Sequence, residues 1–181
     1  MRSLNWNNIT ASSDGDFERL PAGPYVARIT SMTDVPDREY VEVVYDIAEG
    51  PKASFYSDVW GQSHPYAHHF FMSYKERALG MLKGRLEAIA ASNPGFDPFA
   101  AWDAGRTEIF VNRLVGINLQ EEEYRRNDGE IGTRLNVCQI VDANSVRNGK
   151  VKPRPKKALD GGRPQQPAST APAWDGEIPF D

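Results

Sequence analysis

The 181-residue chain has little of what would place a protein outside a cell or within a membrane. It holds a single cysteine, Cys138, so no disulfide can form within the chain, and a lone thiol fits a reducing compartment. No apolar run approaches the roughly 20 residues that cross a bilayer, and no secretory signal is visible, so a soluble, intracellular protein is expected. Histidine is scarce and confined: His64, His68 and His69 all fall between Gly61 and Phe71. His64 and His68, four apart, could share a helix face around a metal ion. The segment has no cysteine and no acid, however, and Pro65 interrupts it, so neither a metal nor another cofactor is expected.

Net positive charge is also missing, and at -4 the total argues against a nucleic-acid partner. The charges are unevenly placed. Four acids and one base lie from Asp160 onward, which leaves the rest of the chain near balance at -1. Between Ser145 and Lys157 stand Arg147, Lys150, Lys152, Arg154, Lys156 and Lys157 without one acid, so a locally positive surface, or a solvated basic linker, is compatible with the total.

What is present is mostly strand pattern. Residues 1–19 read as an irregular arm pinned by Trp6 and Phe17, and Leu20-Pro-Ala-Gly-Pro24 punctuates the start of the first strand. Alternation predicts strand 1 over Tyr25–Met32, strand 2 over Tyr40–Ile47 with Val41, Val43, Tyr45 and Ile47 on one face, and strand 3 over Ala53–Trp60. Ser73 with Glu76 has the spacing of a capping box, and Ala78, Leu79, Leu82, Leu86, Ile89 and Ala90 recur at helical spacing up to Asn93-Pro94-Gly95. Lys75, Arg77, Lys83 and Arg85 mark the exposed flanks of that helix. Phe96, Phe99 and Trp102 suggest a short turn plugging an open end of the core. Strand 4 is predicted over Arg113–Glu123 and strand 5 over Ile131–Val141, joined through the hairpin signal Asp128-Gly129.

Three strands, one helix, then two strands is the order of an OB-fold, a five-stranded Greek-key barrel with its helix between strands 3 and 4. The expected domain covers residues 1–159. Residues 160–181 form a separate tail, because Gly161 to Ala173 offers one charge, no aromatic and no large aliphatic, too little apolar surface to offset chain entropy, and so reads as a disordered tether. At its end Trp174, Asp175, Glu177, Ile178, Pro179 and Phe180 have the composition of a recognition peptide.

That tip resembles the acidic, Ile-Pro-Phe-ending C-terminus of bacterial-type single-stranded DNA-binding proteins, which docks onto replication and repair proteins. The chain departs from the pattern in one respect: Asp181 follows Phe180, where the family ends on the phenylalanine carboxylate. The body resembles phage-encoded single-stranded DNA-binding proteins through Leu20–Ile29, Tyr45–Gly50, Ser92–Gly95, Leu114–Gly116, Glu121–Tyr124 and Asn127–Glu130. The resemblance implies protection of single strands in phage replication or recombination, within the cytoplasm and nucleoid of a bacterial host. Single-stranded DNA and tip-bound replication or repair proteins are the expected partners, no membrane is expected, and self-association into a homo-oligomer is left open.

Such a task needs cations that follow a backbone and rings on which any base can stack. Tyr40, Tyr56 and Trp60 on or beside strands 2 and 3 are the candidate rings, with the opposite facing of Tyr56 and Trp60 as the alternative. Tyr124, Arg125 and Arg126 at the hairpin, Arg134 on strand 5, and Lys150 and Lys152 beyond it complete the candidate nucleic-acid contacts. The three histidines, beside DNA, would stack or touch phosphate. A metal-dependent nuclease using Glu121, Glu122, Glu123, Asp128 and Glu130 lacks a second carboxylate group or a general base, so no catalytic residue is expected. An adaptor acting through its tail alone would leave the Tyr and Arg loops without a role.

Overall fold

The computed structural model describes residues 20–57, 61 and 64–159; the expected positions of Trp60 and of the tip residues 174–180 lie outside these. Five strands form one antiparallel sheet in the order β3-β2-β1-β4-β5. They are β1 (Gly23–Val35), β2 (Tyr40–Ile47), β3 (His69–Ser73), β4 (Leu114–Arg125) and β5 (Ile131–Val141). The main helix, α1 (Leu79–Ser92), lies between β3 and β4, followed by the short α2 (Pro98–Asp103), and α3 (Ala143–Arg147) follows β5.

β1 is the strand the sheet turns on. Its first half pairs with β4, from Gly23 opposite Leu119 to Arg28 opposite Leu114, and from Ala27 onward it pairs with β2. The register slips between Ile29 and Ser31, where Ile29 donates to the Arg113 carbonyl and Asn112 donates to that of Ile29. A bulge at that point raises the local twist and lets the sheet curl. Its outer strands approach each other, with β3 and β5 residues within 8 Å between Cα atoms, but no ladder joins them. The sheet is therefore open, where a closed barrel was expected.

The core fills the concave side. Val41, Val43, Tyr45 and Ile47 of β2 are all buried, as are Phe70 and Met72 of β3, Val115, Ile117 and Leu119 of β4, and Leu82, Leu86 and Ile89 of α1. β4 is buried on its other side too. Gly116 lies so close to α3 that an added Cβ would sit 2.8 Å from the Asp142 carbonyl and the Val146 methyl, and Asn118 donates to the Lys152 carbonyl at 2.9 Å. Beyond Gly23, β4 outruns β1, and the chain after α3 covers the exposed edge: Lys157 donates to the Glu121 carbonyl at 2.8 Å and accepts from Glu123 at 2.9 Å. The basic stretch is thus a strap hydrogen-bonded to the sheet rather than a free linker.

Two local expectations are corrected. The third strand is His69–Ser73, and Ala53–Tyr56 lies in turns, with Ser54 at φ 62° and Ser57 donating back to the Ser54 carbonyl. The capping box does not form, because Ser73 belongs to β3 and α1 is entered through a 3-10 turn over Glu76–Ala78, with Ala78 at the cap and no side-chain bond. α2, by contrast, is capped by Asp97, whose Oδ1 accepts from Phe99 and Ala100.

Candidate nucleic-acid interface

The placement of β3 decides the character of the convex face. Even-numbered residues of β2 and odd-numbered residues of β3 point outward, opposite the buried Val41, Val43, Phe70 and Met72. Register sets Tyr40 against Ser73, Glu42 against Phe71 and Val44 against His69. Four rings follow one another in contact along this face. The Tyr40 and Phe71 centroids are 4.7 Å apart, those of Phe71 and His69 4.7 Å, and those of His69 and Tyr66, in the 3-10 turn leading into β3, 5.4 Å. Tyr66 is 77% exposed and Phe71 43%, and Tyr40 and His69 are half-buried.

Cations border the rings. Arg38, Lys75, Arg77 and Arg85 line an open cleft of about 320 Å³ whose floor includes Tyr40, Phe71 and Met81. None of the four forms an ion pair among the described residues. Arg85 donates to the Phe71 backbone carbonyl, which anchors the guanidinium on β3, and partial burial moves its pKa below the ordinary arginine value. Within the row of rings the Glu42 carboxylate, opposite Phe71, accepts from His69 Nδ1 at 2.7 Å. Four cations without an ion-pair partner among the described residues, beside four rings, can hold phosphates on one side and stack bases on the other.

A second group lies at the β4–β5 hairpin. The Arg134 guanidinium stands 5.5 Å over the Tyr124 ring and also donates to Glu122 at 3.1 Å. Tyr124 is opposite Gly132 in register, and its ring and the Arg126 Nε both come within 3.0 Å of where a Cβ on Gly132 would be, so the glycine admits them. Arg125 is exposed and donates to the Gly129 carbonyl at 3.3 Å. Glu122 takes a further 2.6 Å bond from Lys157, and Glu123 pairs with Lys156 at 2.7 Å. The Lys157 bond, then that of Arg134, holds the Glu122 carboxyl below its usual range. Lys150 and Lys152 are exposed on the strap, without an ion pair among the described residues.

The structure does not unite these two groups. The cleft lies by the C-terminal end of β1, where Val35 pairs with Tyr40, and the hairpin lies beyond its N-terminal end, where Gly23 pairs with Leu119. Of the rings predicted for strands 2 and 3, Tyr40 is on the outer face, but Tyr56 is 5% exposed and belongs to the core. Its ring stacks on His68 at 4.4 Å, and its backbone N–H donates to Asp46 at 2.8 Å. Burial, then the charge of Asp46, pushes its phenol up to about 12. The facing assumed for Tyr56 is therefore inverted. The histidines separate as well: both His68 ring nitrogens contact carbonyl oxygens, of Tyr45 at 2.5 Å and Gly61 at 2.9 Å, whereas His69 is on the outer face and His64 is exposed before the 3-10 turn. Among the described residues no group of three or more His, Cys, Asp or Glu could hold a metal ion.

Sequence reasoning did not single out Tyr66, Phe71 or Arg38, nor the meeting of Lys75, Arg77 and Arg85 with the rings. A signal is present, since Lys75, Arg77 and Arg85 read as exposed helix flanks, but nothing in the one-dimensional order puts them beside β2. Compared with known protein families and with curated proteins, the sequence matches none.

Proposed function

We propose that this chain binds single-stranded DNA with tolerance for sequence, seating bases on the rings of β2 and β3 and phosphates along Arg38, Lys75, Arg77 and Arg85. One observation carries the reading: on a protein of net charge -4, four rings in succession share a face with four cations that have no acidic partner among the described residues. Duplex DNA hides the base faces such rings need, so the site favours single strands. The element order and the sheet order β3-β2-β1-β4-β5 support an OB-like fold left open between β3 and β5, a fold in which strands 2 and 3 form the oligonucleotide platform. Tyr124, Arg125, Arg126, Arg134, Lys150 and Lys152 then serve as a second contact for longer strands.

The sequence resemblance supports a place in phage DNA replication or recombination inside a bacterial host, with the acidic tip recruiting replication or repair proteins. Fluorescence anisotropy with a labelled oligonucleotide, single-stranded and as duplex, with and without magnesium, tests the core of the proposal. Tighter retention of the single strand without cleavage is expected. Equal affinity for the duplex, or magnesium-dependent cleavage, would overturn it.

A further inference from the structure

Resting on the single-strand reading above, we infer that Glu42 reads base edges, biasing the face toward cytosine and other amino-bearing bases and against thymine. Glu42 is an unusual residue for a surface that meets phosphates. It lies in the middle of the outer face, opposite Thr33 of β1 on one side and Phe71 of β3 on the other. Its side chain is 25% exposed, and Oε1 takes a 2.7 Å hydrogen bond from His69 Nδ1. A carboxylate only accepts, so that nitrogen carries the proton, and the bond holds the side chain against the sheet. Oε2 has no hydrogen-bond partner among the described residues.

A phosphate laid over Glu42 would meet a like charge at short range, whereas the unpaired cations stand at the edge of the cleft. The backbone is therefore drawn to the cations and the bases are turned toward Glu42. Directly opposed side chains in an antiparallel pair are about 5 Å apart at Cβ, so a base stacked on Phe71 presents an edge to the Glu42 carboxylate. Cytosine offers its N4 amino group there, and adenine and guanine also carry exocyclic amino groups. Thymine has one imide N–H between two carbonyl oxygens, and those oxygens are repelled by an acceptor-only group. Cytosine and thymine stack alike, so the comparison between them isolates the edge contact.

The experiment is a titration of the full chain with labelled oligo-dC and oligo-dT of equal length, at neutral pH or slightly above. We expect wild type to bind oligo-dC about tenfold tighter, and Glu42→Gln, whose amide both donates and accepts, to bring the ratio near one, mainly by gaining affinity for oligo-dT. Oligo-dC bearing N4,N4-dimethylcytosine, which has lost the donor, should fall to the oligo-dT level on wild type; this arm needs no variant to fold. Equal wild-type affinity for the two tracts, or a preference that survives Glu42→Gln or dimethylation, overturns the inference and leaves single-strand binding standing. Retention of neither tract overturns both.

Discussion

Replacing Phe71 with alanine removes the second ring of the row while leaving the core nearly intact. The side chain is 43% exposed, and its ring contacts are Tyr40 and His69, each at 4.7 Å. Losing one cross-strand aromatic contact costs up to about 1 kcal/mol of fold stability, or roughly 2 to 4 °C of melting temperature for a domain of this size. The cost to binding is larger, because base stacking is worth about 1 to 3 kcal/mol per base, a weakening of roughly 5- to 150-fold. Its neighbour supplies the contrast. Phe70 points inward at 6% exposure, and Phe70→Ala should cost about 3 to 5 kcal/mol of stability through the cavity it leaves. Anisotropy titrations at fixed salt, paired with thermal melts of both variants, read the two quantities separately. A Phe71→Ala protein that melts near wild type and binds a single strand with unchanged affinity would refute the assignment of this face. A melting loss as large as that of Phe70→Ala would show that the ring is structural.

Removing Lys75 and Arg77 together should flatten the slope of log affinity against log salt by about 1.4, at roughly 0.7 per phosphate contact; an unchanged slope excludes them from the site. Arg125→Ala with Arg126→Ala should leave the slope unchanged for oligonucleotides too short to join cleft and hairpin and flatten it for longer ones, and equal effects at both lengths would contradict the separation of the two groups. Tyr56→Ala should lower the melting temperature sharply while the folded fraction keeps its DNA affinity, the reverse of a surface ring. The Tyr56 phenol, raised from 10.0 to about 12 in the fold, holds its proton where the unfolded chain releases it. Its contribution is therefore complete below pH ~10 and is lost as pH rises toward 12, up to about 2 to 3 kcal/mol, and urea midpoints against pH should fall less steeply in Tyr56→Phe. In the tip, Phe180→Ala should abolish capture of replication or repair proteins in a pull-down while sparing DNA affinity, since every acid is kept; unchanged capture would refute recruitment through this group.

Strand alternation was enough to place β2 and β5 at Tyr40–Ile47 and Ile131–Val141, because a half-buried strand writes its two faces directly into period-2 order, and it set Val115, Ile117 and Leu119 on one buried face without showing that Gly116 and Asn118 opposite them are buried too. Helical spacing likewise gave the buried Leu82, Leu86 and Ile89. The third strand was not legible. His69–Ser73 is only five residues long, and its outward Phe71 is as apolar as its inward Phe70 and Met72, so an apolar ring on the surface erased the alternation. Ala53–Trp60 alternates in sequence, yet Ala53–Tyr56 lies in turns, and the Asp46 carboxylate, not a neighbouring strand, holds the Tyr56 N–H. Composition alone set the charge balance and the absence of a disulfide. The meeting of Arg38, Tyr40, Phe71, Lys75, Arg77 and Arg85 depended on which strand lies beside β2 and where α1 begins, since side chains 31 to 47 positions apart become neighbours only through strand register and packing.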